Sequence, residues 1–114
     1  TTHARWFSEQ FVYQHDTLAQ RTIQSLATTP TLGYAESCRA LAKADLSADI
    51  QKIKIPTLVI AGTFDPVTTV ADGIYMQQQI QNSELAVIDA SHLSSIEQPE
   101  HFTQTLSQFI ASIQ

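Results

Sequence analysis

Ile55-Pro-Thr-Leu-Val-Ile-Ala-Gly-Thr-Phe-Asp-Pro-Val67 and, after a helix's length of chain, Leu85-Ala-Val-Ile-Asp-Ala-Ser-His-Leu93 decide the reading of this sequence. Thr57 to Ala61 is a short apolar run rich in β-branched residues, opened by Pro56 and closed by Gly62, the pattern of a strand buried on both faces. Leu85 to Ile88 is a second run of this kind. Val67 to Gln81 between them carries helix formers with room for about four turns. Strand, helix and strand in this order predict a parallel βαβ unit. Loops leaving the carboxyl ends of neighbouring parallel strands lie side by side. Asp65 follows the first strand and His92 the second, so the two are expected to meet. A carboxylate against an imidazole fixes the tautomer and stabilises the imidazolium, which is half of a nucleophile–base–acid triad.

Each of these residues also has a plainer reading. Asp65 before Pro66 suits a turn that caps the next helix. His92 could be a surface or core histidine, but a loop at a strand's carboxyl end favours a general base. Asp72 and Asp89 are competing acids. Asp72 falls in the first turn of the expected helix, where the dipole favours a carboxylate, and Asp89 ends the second strand. Ser91 and Ser94 adjoin His92 in sequence, yet neither has the Gly-x-Ser-x-Gly setting that exposes a nucleophile. The three glycines, Gly33, Gly62 and Gly73, build no such elbow.

The composition bounds what else the chain can be. At 114 residues it fits one domain, and 43% hydrophobic with 15% charged residues is a globular balance. A net charge of −5 with no Lys/Arg cluster argues against nucleic acid and anionic membrane surfaces as partners. The single cysteine, Cys38, allows no internal disulfide, which is compatible with a reducing cytoplasm. His3, His15 and His101 have no ligand spacing, so no metal site is expected.

Residues 1–52 carry helix signals only. Trp6, Phe7, Phe11 and Val12 make an apolar stripe on a first helix expected to end near His15. Asp16 is the expected N-cap of a second helix, with Leu18, Ile23 and Leu26 on its buried face. Thr29-Pro30 is expected to supply N-cap and first turn of a third helix reaching about Lys43, along which Tyr34, Cys38, Leu41 and Ala42 recur. Leu46 to Ile50 suggests one short turn. At the other end Pro99 opens a last helix, whose Phe102, Leu106, Phe109, Ile110 and Ile113 follow a period near 3.6. Two parallel strands are marginal alone, and an unpaired strand edge seeks another strand. Self-association, through strand pairing or helix exchange, is therefore expected.

The segment from Ile55 to Val67, taken with Ala90-Ser-His-Leu-Ser-Ser-Ile-Glu-Gln-Pro-Glu-His-Phe102, resembles the end of an α/β-hydrolase. Ala4-Arg-Trp-Phe7 and the Ala-Asp-Leu opening at Ala44 narrow the resemblance to the 3-oxoadipate enol-lactone hydrolases of aromatic-compound catabolism. Ala90 stands where many relatives have glycine, a mild departure between small residues. The resemblance implies a partial α/β-hydrolase fold: a helical cap segment at 1–52, then a β-α-β-α part of the core at 53–114. It implies a longer parent enzyme, cytoplasmic and cofactor-free, whose serine attacks a small-molecule lactone. Asp65 and His92 would be the catalytic acid and base. Trp6 would lie over the substrate pocket and Arg5 would meet a substrate carboxylate, against plainer roles as a core anchor and as a partner of Glu9. The chain alone would lack the nucleophile. An esterase, a haloalkane dehalogenase, a C–C hydrolase or a non-catalytic self-associating module are the other readings.

Overall fold

A computed structural model describes residues 2–114, with side chains from Ala4 onward, so His3 lies outside the described side chains. Helices α1 (Thr2–Trp6), α2 (Glu9–Gln14), α3 (Asp16–Ala27) and α4 (Thr31–Lys43) come first, followed by a 3-10 turn at Ile50–Lys52. Then come β1 (Thr57–Gly62), α5 (Val70–Gln79), β2 (Ser83–Ile88), α6 (Ser94–Glu97) and α7 (Pro99–Ser112). The two strands are parallel, in a register from Thr57 opposite Ser83 to Gly62 opposite Ile88. Among the described residues the sheet is this pair alone, so each strand has one edge without a strand partner.

Several expected boundaries move, each for a local reason. The first helix is two helices. Ser8 ends the ladder because its side chain accepts the Phe11 N–H at 3.2 Å while its own N–H goes to Glu97 at 3.1 Å. Asp16 lies inside the first turn of α3, and the cap position falls to His15. Pro30 has ψ of 125°, outside the helical range, so α4 starts at Thr31. Helix α5 starts at Val70 and not at Val67, since Asp65 holds the preceding N–H groups in a turn. Thr69 then caps it in a reciprocal box with Asp72.

Two apolar clusters hold these elements. Phe7, Phe11 and Ala19 are buried together, with Trp6, Ile23, Leu93 and Ile96 packed around them. The rings of Phe7 and Phe11 stack at 4.9 Å. Ala19, Ile23 and Leu26 are the inward stripe of α3, while the expected Leu18 is 44% exposed. Residues 19, 23 and 26 sit at i, i+4 and i+7 on one helix face, which Leu18 misses by a residue. The second group brings Val59, Ala61 and Leu85 of the sheet against Gly73 of α5. A Cβ on Gly73 would lie only 3.1–3.7 Å from Leu85, Ala61 and Val59, so the missing side chain lets the helix approach the sheet.

Cover on the sheet is incomplete. Val59 and Ala61 are buried, but Leu58 and Ile60 are half-buried, which corrects the expected two-sided burial of the first strand. Leu106, Ile110 and Ile113 of the last helix stay exposed, as do Leu32 and Leu41 of α4, a helix with no buried residue. The Cα radius of gyration is 15.8 Å, above the roughly 13 Å of a compact domain of about this length. Among the described residues no helix is long and apolar enough to cross a membrane.

Candidate active site

The parallel register brings the ends of β1 and β2 level, and the loops after them touch. Thr63 donates its N–H to the Ile88 carbonyl at 2.9 Å, and Phe64 donates to the Ala90 carbonyl at 3.0 Å. Gly62 makes this closeness possible. A Cβ there would stand 2.5 Å from the Ser91 carbonyl oxygen and 2.6 Å from that of Ala90, both rigid backbone atoms. Only a residue without a side chain lets the two loops meet.

Across this junction His92 Nδ1 lies 2.7 Å from Asp65 Oδ2, although the residues are 27 apart in sequence. Asp65 is fixed from three further directions. Its Oδ1 accepts the N–H groups of Val67 at 2.8 Å and Thr68 at 3.1 Å, and its Oδ2 accepts the Thr68 hydroxyl at 2.7 Å. Burial by itself would push the Asp65 carboxyl up. The bond from His92 and those from Val67 and Thr68 together outweigh it, and the group is held below its ordinary value. An ionised carboxylate only accepts, so Nδ1 must carry the proton it shares with Asp65. In the neutral ring Nε2 is then a bare acceptor. The side chain of His92 is 42% exposed and that of Asp65 4%, which leaves the basic nitrogen reachable while its partner stays dry.

The competing acids are engaged elsewhere. Asp72 Oδ2 accepts the Thr69 N–H at 2.8 Å within the helix cap, and exposed Asp89 accepts the Thr63 hydroxyl at 2.9 Å. Ser91 is buried and donates its hydroxyl to the Arg5 carbonyl at 2.9 Å, so it is no free nucleophile. Trp6 is half-buried beside Leu93, whose N–H it accepts through its carbonyl at 3.0 Å. Arg5 is exposed, and among the described residues no ion pair joins it to Glu9. An open groove of about 380 Å³ runs along β1 beside α5 and reaches Thr68, Asp65 and His92; neither Trp6 nor Arg5 lines it. A second cavity of about 390 Å³, lined by Phe11, Phe64, Asp89 and Glu97 among others, touches neither member of the Asp65–His92 pair.

Sequence reasoning missed two side chains that shape this site. Thr68 reaches both partners, with its hydroxyl 3.2 Å from His92 Nδ1 as well as on Asp65. Its place three residues after the acid was the available signal. Glu97, buried under the histidine loop, gave none.

This fold and this pair of loop residues define a class. The chain matches the alpha/beta hydrolase fold family over residues 8–99 and belongs to it. Within it, the chain is 62% identical to 3-oxoadipate enol-lactonase 1 of Acinetobacter baylyi over 114 residues, all of this chain and 43% of that protein. It is 43% identical over 106 residues to 3-oxoadipate enol-lactonase 2 of the same organism, covering 93% of this chain and 40% of the relative. Among solved structures it is similar to the enol-lactonase from Burkholderia xenovorans, with a TM-score of 0.94 and 34% identity over 96% of this chain and 42% of the other. An esterase from Thermogutta terrifontis matches with a TM-score of 0.89 at 28% identity, over 96% of this chain and 41% of the other. The chain thus spans less than half the length of the relatives it matches.

Proposed function

We propose that this chain supplies the acid and the base of a serine-type hydrolase that opens 3-oxoadipate enol-lactone to 3-oxoadipate. The 2.7 Å bond between His92 Nδ1 and Asp65 Oδ2, with Nε2 left open, is the observation that carries the proposal. The 62% identity to an enol-lactonase supports the choice of substrate. A serine from a segment outside these 114 residues attacks the lactone carbonyl, and His92 Nε2 takes its proton. As the ring opens, the acyl–oxygen bond breaks and the departing enol oxygen receives that proton from His92. The ring-opened chain stays bound as an acyl-enzyme until His92 deprotonates a water that releases it. The enol then becomes the ketone unaided. Asp65 orients His92 and stabilises the imidazolium throughout.

Residues 1–52 act as a cap over the lactone, with Trp6 and Arg5 as candidates for binding its ring and its carboxylate. The setting is cytoplasmic. Supplied alone, the chain carries no Gly-x-Ser-x-Gly elbow, and the expected outcome is no turnover of substrate. It self-associates through its free strand edges and the exposed apolar faces of α4 and α7. The bond between Asp65 and His92 supports the catalytic reading over a non-catalytic module.

The test is turnover by the full-length protein. Asp65→Asn should lower kcat by about 10⁴-fold, because an amide no longer holds the productive tautomer; His92→Ala should lower it at least as far. Enol-lactone turnover that survives His92→Ala would remove the proposal. For the isolated chain, light scattering at micromolar concentration should give a mass above 12.6 kDa, and a stable monomer would refute the association.

A further inference from the structure

Glu97 is a buried carboxylate, and among the described residues no cation pairs with it. Removing such a charge from water is costly unless several hydrogen bonds replace the lost hydration. Three donors do so, and they come from two distant segments. Oε2 accepts the Ser91 N–H at 3.0 Å and the Ser8 N–H at 3.1 Å, while Oε1 accepts the Ser8 hydroxyl. Ser8 is the turn between α1 and α2; Ser91 immediately precedes His92. Two more bonds cross the same gap. The Ser91 hydroxyl donates to the Arg5 carbonyl at 2.9 Å, and the Leu93 N–H donates to the Trp6 carbonyl at 3.0 Å. Both chain neighbours of His92 are therefore tied to residues 5–8, and Glu97 closes the tie.

We infer that Glu97 is a positioning residue for His92: acting through Ser91, it locks the histidine loop to the start of the helical segment, so that imidazole and cap share one frame. This rests on the hydrolytic reading for its consequence in catalysis, but not for its geometry. The latch works by reach and acceptor count. A glutamine can present its carbonyl oxygen to both N–H groups and its amide to the Ser8 oxygen. An aspartate keeps the charge but is one methylene too short to reach Ser8 and Ser91 together.

The variants Glu97→Gln and Glu97→Asp thus separate position from charge. In the full-length enzyme, Glu97→Asp should lower kcat about 10- to 100-fold with KM little changed, as expected for a base displaced by about an ångström. Glu97→Gln should keep kcat within a few-fold. On the 114-residue chain, NMR of the His92 Nδ1 proton gives a readout free of turnover. Its hydrogen-bonded, downfield signal should persist in Glu97→Gln and broaden or vanish in Glu97→Asp, while residues of α4, remote from the latch, keep their shifts. Should Glu97→Asp fail to fold, Ser8→Ala serves instead: it keeps the Ser8 N–H to Glu97, loses the hydroxyl bond to Oε1, and should cost a few-fold in kcat and broaden the same signal. A ring proton and a kcat indifferent to Glu97→Asp, or to Ser8→Ala, overturn the inference. A ring proton that follows Glu97 in a protein that hydrolyses neither lactone nor ester upholds the latch and removes the hydrolytic reading instead.

Discussion

At the carboxyl end of β1, Asp65 receives four hydrogen bonds, and its partner His92 sits on a loop whose backbone is tied on both sides. In α4, by contrast, Leu32 is 73% and Leu41 76% exposed, and no residue of the helix is buried. One region has its polar groups satisfied by its own chain. The other leaves its apolar groups without a partner. The difference separates two requirements that a folded enzyme usually meets together. Local hydrogen bonds and one close backbone approach are enough to set the geometry of the pair. Burial of the apolar surface asks for more protein than these residues provide. This fits a chain that spans less than half the length of its relatives.

Gly62→Ala is the sharpest way to break the well-made end. The new Cβ would meet two backbone carbonyl oxygens at 2.5 and 2.6 Å, and neither can swing aside as a side-chain tip would. Overpacking of this kind costs about 1–3 kcal/mol. The β2 loop must shift, so the variant should lose stability in urea unfolding and also lose the Asp65–His92 contact in the NMR of the ring proton. The equivalent change at Gly33, where a Cβ meets nothing within 4 Å, is the control and should leave that contact intact. Equal behaviour of the two variants would mean that the closeness of the loops is not what sets the pair.

A smaller effect should appear with pH. Asp65 is held below its ordinary value in the folded chain, so the folded state keeps its carboxylate charged where the unfolded state has begun to protonate. Its contribution is complete above about pH 4, the ordinary carboxylate range, and fades as pH falls through the lower folded value. Wild type should therefore be more stable than Asp65→Asn at neutral pH, and the gap in Tm should narrow on acidification below about pH 4. A gap that widens in acid would reverse the sign assigned to the hydrogen bonds around this group.

How much of this was legible beforehand follows from where the determining contacts lie. The parallel pair and the meeting of Asp65 with His92 were readable because β-branched runs, Gly62 and the loop positions act locally, and topology then places the strand ends together. The break between α1 and α2 was not readable. Ser8 turns there because Glu97, 89 residues later, takes its N–H, and no local signal carries that. The late start of α5 was half-visible: Thr69-x-x-Asp72 is a capping pattern, but it was overshadowed by helix formers beginning at Val67. The stripe along α4 was visible as a period, yet period alone does not tell whether anything covers it.

That last point yields the smallest expected effect and the most discriminating one for the uncovered region. Leu41→Lys places a charge where the side chain already stands 76% in solvent. Within a single copy it removes no buried contact and should change unfolding free energy by no more than about 0.5 kcal/mol. If the exposed stripe of α4 is a docking face, the same substitution should lower the mass seen by light scattering, because a charge at an apolar contact must be desolvated to dock. In the full-length protein, where the proposed cap would use that face, Leu41→Lys should instead lower stability beyond that limit. An effect in the longer protein and none on the isolated chain's stability would locate the missing partner of α4 outside these residues. Indifference in both, with the mass unchanged, would make the stripe an ordinary solvated face and leave the free strand edges as the route to association.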